Sequence, residues 1–158
     1  MKAKPIPADI GQYVSYDPET GLLWWLTGKR KGHVAGFIKQ SGYVFIKFRK
    51  QTYQAHRVAF FLHEGYCPPI LDHADSDRAN NRWSNLRPAT TAQNNYNRKK
   101  IVGDLPKGVW RTQQGRYAAR IRCQRNTYYL GCFDTPDAAH EAYAIAARQH
   151  HGEFGRAA

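Results

Sequence analysis

Ile70-Leu71-Asp72-His73-Ala74-Asp75-Ser76-Asp77-Arg78-Ala79-Asn80-Asn81-Arg82-Trp83-Ser84-Asn85-Leu86 sets an imidazole beside a carboxylate and follows the pair with a polar, Asn-rich run. Neighbours in a regular strand point to opposite faces, so Asp72 and His73 can serve one site only where a strand bends or ends. Downstream, Thr90 to Arg98 reads as a short helix capped by Thr90, with Asn94 and Arg98 at i and i+4 on one side. Upstream, His56 to Glu64 reads as a helix. Val58, Phe61 and Leu62 recur at helical spacing, Gly65 ends it, and Pro68-Pro69 prevents its continuation.

Farther toward the N-terminus the pattern becomes short strands and turns. Asp17-Pro18-Glu19-Thr20-Gly21 signals a turn before the apolar run Leu22 to Leu26. Gly42 to Phe48 and Thr52-Tyr53 flank Arg49-Lys50-Gln51 as two strands flank a hairpin turn. Seven basic and no acidic residues fall between Lys29 and Lys50, which reads as a phosphate-contacting surface that includes Lys47, Arg49 and Lys50. A solvated face is the plainer alternative.

The charge of the whole chain points the same way. With 158 residues, a formal net charge of +12 and a pI near 9.8, the protein is drawn to polyanions, because neutralising phosphates releases their counterions. Aromatic residues interleaved with the basic ones favour nucleic acid over an anionic membrane, and no apolar run is long enough to span a bilayer. Met1-Lys2-Ala3-Lys4-Pro5 lacks the apolar core of a secretory signal, so a cytoplasmic location is expected. Cys67, Cys123 and Cys132 lack paired metal spacing and read as reduced, buried filler; His150-His151 read as part of a tail after the last helix.

Hydrolysis of a phosphodiester needs an activated water and positive charge near the phosphate and leaving oxygen. An imidazole can take the proton and a hard divalent cation on oxygen ligands can supply the charge. Taken singly, an Asp-His pair also suits a surface turn, and an Asn-rich run suits a loop satisfying its own backbone. Asp75 and Asp77 suggest a calcium loop, but the Gly and closing Glu that such a loop needs are absent.

The ordered set His56-Arg57-Val58, Asp72-His73, Asn80-Asn81-Arg82, Asn85-Leu86 and Gln93-Asn94 resembles the HNH endonucleases, most of all their phage and intron-encoded homing branch. The resemblance implies a ββα-metal fold in which His73 is the general base. It makes Asp72 and Asn94 oxygen ligands of one divalent metal, and Asn85 the residue that braces the loop so that His73 is correctly turned. His56 would pack or contact phosphate, and Arg98 would contact either the scissile phosphate or the DNA backbone. Mg²⁺ is the expected ion, with Mn²⁺ as a substitute. The implied products are a 5′-phosphate and a 3′-hydroxyl. One site per chain implies nicking by a monomer, whereas a two-strand break needs a dimer or two visits; nicking is expected, from a monomer or weak dimer.

Beyond the stretch Arg98 to Pro106, which has no clear period, three strands are expected: Lys107 to Arg111, Gly115 to Arg122, and Tyr128 to Thr135. An Ala-rich helix follows, capped by Thr135 with Pro136 at its first position and with Ala138, Ala142, Ile145 and Ala146 on one face. Residues 106–155, with Gly108-Val109, Leu130-Gly131 and Phe154-Gly155, resemble the Apetala-two/ethylene-response-factor DNA-binding domain. That resemblance implies a sheet lying in the major groove, with Lys107, Trp110, Arg120, Arg122 and Tyr129 facing DNA. Thr112 and Gln114 stand where the plant domains carry Arg and Trp, and Arg120 replaces an acidic residue, so the plant target sequence does not transfer.

The resulting expectation is an α+β chain in three parts. Residues 1–100 form a nuclease domain, β-rich over 13–55 with its motif over 56–98; 101–106 link; 107–158 form a three-stranded antiparallel sheet packed on one helix. Basic residues outnumber acidic ones by 16 to 7 in residues 1–100 and by 8 to 5 in 101–158. The first part should therefore carry most of the electrostatic attraction to double-stranded DNA. Neither a membrane nor a small-molecule substrate is expected. A non-catalytic, sequence-specific DNA-binding protein and an RNA substrate stay open as alternatives.

Overall fold

The structure is a computed structural model that describes residues 4–97 and 104–155. The chain is mixed α and β, as its sequence pattern requires, and divides into two compact units, Met1–Ala89 and Thr90–Ala158.

The first unit opens with a 3₁₀ turn (Ala8–Gln12) and an antiparallel pair, β1 (Val14–Tyr16) and β2 (Leu23–Trp25). A second sheet orders β3 (Phe37–Ile38), β4 (Val44–Phe48) and β5 (Gln51–Gln54) side by side, all antiparallel. In β4 the buried Ile46 and Phe48 alternate with exposed Lys47, which is the period-two pattern of a half-buried strand. Ile46 sits opposite Tyr53. Gln51 thus belongs to β5, and the turn is the two residues Arg49-Lys50, both in the left-handed region at φ 47° and 62°.

α1 (Ala55–Glu64) follows β5 directly and ends on Gly65, whose φ of 79° closes the helix with a bond from its N–H to the Phe61 carbonyl. The helix buries Val58, Ala59 and Phe60 against Ile10, Val14, Leu23 and Ile46, and this cluster is the unit's core. A short hairpin completes the unit: β6 (Leu71–His73) pairs with β7 (Leu86–Pro88), with Asp72 opposite Arg87 and His73 opposite Leu86.

The second unit begins with α2 (Thr91–Tyr96). Thr90 caps it, and its side chain and that of Gln93 bond reciprocally to backbone N–H groups in a capping box. The three strands β8 (Val109–Arg111), β9 (Tyr117–Cys123) and β10 (Asn126–Phe133) form an antiparallel sheet with β9 in the centre. α3 (Pro136–His151) packs on β9 and β10, capped by Thr135 with Pro136 in its first turn.

Its buried stripe is Ala139, Tyr143, Ala146 and Ala147, whereas Ile145 is 45% exposed. The stripe is therefore rotated from the face expected of Ala138, Ala142, Ile145 and Ala146. The reason is Tyr143, which is larger than any of those alanines and takes the core position. It lies over Gly108, where a Cβ would come within 2.1 Å of its ring. α3 also continues through His150 and His151, which the sequence pattern places in a tail. His151 is drawn in by a parallel stack on Tyr96 at 3.7 Å and by a 3.2 Å bond to the Arg122 carbonyl. None of the described helices is long and apolar enough to cross a membrane.

Candidate active site

β6 ends at His73, and there both members of the adjacent pair are buried, Asp72 at 7% and His73 at 4% exposure. Across the hairpin, the Arg87 guanidinium donates to Asp72 Oδ2 from Nε at 3.1 Å and from Nη2 at 2.9 Å. The pair is largely out of water, and its ion pair fixes the orientation of the carboxylate.

His73 Nε2 lies 3.0 Å from Asn81 Oδ1. The Asn81 oxygen accepts from the ring in its Nε2–H form. The rings of His56 and Tyr43 stand 4.9 Å and 6.0 Å from that of His73. His56 is buried in the first turn of α1. Its burial, with the nearby charges of His73 and Arg57, brings its pKa down to about 3, so it is neutral near pH 7. Arg78 lies over the Tyr43 ring at 4.9 Å and donates to the Ser41 carbonyl.

The loop between β6 and β7 is tied by one side chain. Asn85, 7% exposed, donates from Nδ2 to Asp75 Oδ1 (2.9 Å) and to the Asn80 carbonyl (2.7 Å), and its Oδ1 accepts from the Asp75 N–H (2.9 Å). Asn80 Nδ2 adds a bond to Asp75 Oδ2. Burial by itself would raise the Asp75 carboxyl, but the bonds from Asn80, the Asp77 backbone and Asn85, with His73 nearby, hold it below the ordinary value. The loop is also anchored to β1: the Tyr16 hydroxyl donates to the Asn81 carbonyl at 2.8 Å. Burial, then Asp17, raises that phenol to about 12, so it remains a donor throughout the physiological range.

Asp72 and His73 on β6 and Asn85 just before β7 all lie in the first unit, Asp72 turned to Arg87, His73 to Asn81 and Asn85 to Asp75. Asn94 lies partly buried on α2, in the second unit, and Arg98 lies outside the described residues. Lys47, Arg49 and Lys50 are exposed around the β4–β5 turn. Arg49 is ion-paired with Asp9, and its guanidinium lies near the rings of Tyr13 and Phe48. Sequence reasoning missed Arg87, Asn81 and the full part played by Asp75. Arg87 was within reach, because a register that sets Asp72 opposite an arginine makes a cross-strand ion pair. Asn81 carries no comparable signal.

In the second unit, Trp110, Arg120 and Tyr129 converge on one sheet face, with Arg120 5.1 Å over the indole and the two aromatic rings 6.4 Å apart. Arg122, two residues beyond Arg120, is exposed. Lys107 differs from these four: it is half-buried and its ammonium donates to the Tyr96 carbonyl.

Among the described residues, no group of three or more His, Cys, Asp or Glu side chains is arranged to hold a metal ion. The donor chemistry nonetheless suits a hard divalent ion at low protein ligation. Asp72 offers an oriented carboxylate oxygen, the donor type such an ion prefers.

Comparison with known proteins bears on this segment. The family model of the HNH endonucleases matches residues 53–96. An uncharacterized HNH endonuclease of Acanthamoeba polyphaga mimivirus is 31% identical over 121 residues, which span 75% of this chain and 63% of that protein. A structure of the HNH homing endonuclease I-HmuI, solved for its DNA binding and cleavage, aligns at 28% identity with a TM-score of 0.41, over 49% of this chain and 47% of that one. The chain thus spans less than two thirds of either relative. Within it, residues 53–96 carry an HNH endonuclease domain.

Proposed function

We propose that the protein is a metal-dependent DNA endonuclease of the homing type that nicks duplex DNA, with His73 as general base. The observation that carries the reading is the buried Asp72-His73 sequence at the end of β6: a carboxylate oriented by Arg87, and next along the chain an imidazole whose Nε2 lies 3.0 Å from Asn81 Oδ1. That such a pair falls inside the segment matched by the HNH family supports it further.

His73 Nδ1 takes a proton from the attacking water as its oxygen bonds to phosphorus. The bond from phosphorus to the 3′-oxygen breaks, and that oxygen takes a proton from solvent, leaving a 5′-phosphate and a 3′-hydroxyl. Asn81 holds the ring, and Asn85 holds the loop that carries Asn81. Asp72 would hold a divalent ion, Mg²⁺ by its oxygen preference, and when bound that ion supplies positive charge to the phosphate and the departing oxygen. Asn94 enters as a further oxygen ligand from the resemblance alone.

The second unit is the DNA reader in this proposal, similar to the Apetala-two/ethylene-response-factor domain. The support is the set of exposed Arg120, Arg122 and Tyr129 with half-buried Trp110 on a three-stranded sheet. A tethered reader raises the local concentration of DNA at the nuclease part.

The test is conversion of supercoiled plasmid to open circles with Mg²⁺ or Mn²⁺ and with chelator. Wild type nicks only with metal, and His73→Ala lowers the rate about 10²- to 10⁴-fold while duplex binding persists. Nicking by His73→Ala at the wild-type rate overturns the mechanism. No nicking by wild type under any metal leaves a DNA-binding protein in place of an enzyme.

A further inference from the structure

A cleft of about 670 Å³ lies within the second unit, bounded by α2 on one side and the β9–β10 hairpin on the other. Lys107, Arg120, Arg122 and Arg125 line it together with Asn95 and Thr127, and none of its lining residues is acidic. The stacked rings of Tyr96 and His151 also line it. Arg122 and Arg125 take part in none of the ion pairs among the described residues. A concave surface with several cations and no counter-charge concentrates a polyanion, because its walls keep the field from being spread into water.

The rim position of Arg125 has its own oddity. The β9–β10 turn consists of Gln124 and Arg125 at φ 48° and 73°, the left-handed region where Asn-Gly is favoured in a two-residue hairpin. The other such turn, Arg49-Lys50, likewise sets two side-chain-bearing residues in the left-handed region. Side chains in this region cost backbone energy that Gly would avoid, and such strain collects where a side chain is used.

We infer that this cleft binds the sugar-phosphate backbone of duplex DNA, with Arg122 and Arg125 each neutralising a phosphate and Asn95 offering an amide from α2. The strand would thus be gripped at the hairpin end of the sheet as well as on its open face. The inference deepens the proposed function and rests only on its DNA-binding half, not on cleavage.

The experiment uses the full chain in chelator and follows anisotropy of a labelled duplex of about 30 base pairs between about 50 and 200 mM KCl. Each phosphate that is no longer neutralised should lower the slope of log K against log salt by about 0.9, so Arg122→Gln with Arg125→Gln lowers it by about 1.8. Arg125→Lys keeps the charge and the wild-type slope. Arg148→Gln, an exposed change on α3 outside the cleft, also keeps it. A wild-type slope in the double variant overturns the inference, as does an equal drop in Arg148→Gln. Either result leaves plasmid nicking untouched as the separate measure of the nuclease reading. Absence of duplex binding by wild type overturns both.

Discussion

His73 Nε2 and Asn81 Oδ1 stand 3.0 Å apart, and the backbone carbonyl of the same asparagine accepts the Tyr16 hydroxyl. The residue that faces His73 Nε2 is thereby fixed to a strand of a different sheet in its unit. Asn81→Ala should lower kcat for nicking about 10- to 100-fold with KM for duplex unchanged, because the ring loses its orientation and not its substrate. Asn81→Asp restores an acceptor but places a carboxylate beside the imidazole. With an acceptor again facing the ring, its nicking rate should exceed that of Asn81→Ala. A normal kcat in Asn81→Ala would show that Asn81 does not position the base.

Gly21 supports the same loop from beneath. Its φ is 75°, and a Cβ there would lie 2.4 Å from the Arg82 nitrogen and 2.6 Å from the Asn81 carbonyl carbon. All of these neighbours are backbone, so the loop itself would have to move. Gly21→Ala should destabilise the protein by about 2–4 kcal/mol and depress nicking beyond what the loss of folded protein explains. Urea midpoints together with the activity of the folded fraction check this. An unchanged midpoint would mean that the loop does not bear on β1–β2.

Burial of His56 gives the protein a pH dependence with a definite sign. Its folded pKa is about 3 against an unfolded value near 6.5, so between those values the unfolded chain binds the extra proton. Stability therefore falls as pH drops through this window, by up to about 1.4 kcal/mol per pH unit in its middle. Asp75, whose carboxyl is held below the ordinary value, adds to the loss only at still lower pH, whereas His151, also lowered by burial, contributes with the same sign below about pH 6, so the share of His56 is read from its variant. Urea melts of wild type across this window should slope, and those of His56→Gln should be flatter. Parallel slopes would assign the pH dependence elsewhere.

Much of the local structure was legible because its signals are local. Gly65 ends α1, Thr90 with Gln93 boxes α2, and Thr135-Pro136 starts α3, each through bonds made within a few residues. The end of β6 at His73 was legible for the same reason. What sequence could not supply came from contacts distant along the chain. Asn81 meets Tyr16 across 65 residues, and Arg122 receives His151 across 29. The face of α3 was misjudged because alanine spacing marks a small surface without saying what packs there; Tyr143 over Gly108 decides it. Likewise Lys107 matches a DNA-facing position by pattern, yet Tyr96 accepts its ammonium.

The Asp72–Arg87 ion pair, with side chains 8% and 18% exposed, sets up a test that separates orientation from stability. Removing one partner of a buried pair strands the other charge away from water, so Arg87→Met should cost about 3 kcal/mol. Neutralising the survivor removes that penalty: Asp72→Asn added to Arg87→Met should recover most of the loss, because two neutral groups tolerate burial better than one bare carboxylate. Function should move in the opposite direction. Arg87→Met keeps the carboxylate and should retain metal-dependent nicking at a reduced rate, whereas the more stable double variant loses the anionic oxygen and should require far more Mg²⁺. Urea midpoints and the Mg²⁺ concentration for half-maximal nicking measure the two properties separately. If the double variant gains stability and also nicks at wild-type Mg²⁺ levels, Asp72 is a structural partner of Arg87 and not a ligand.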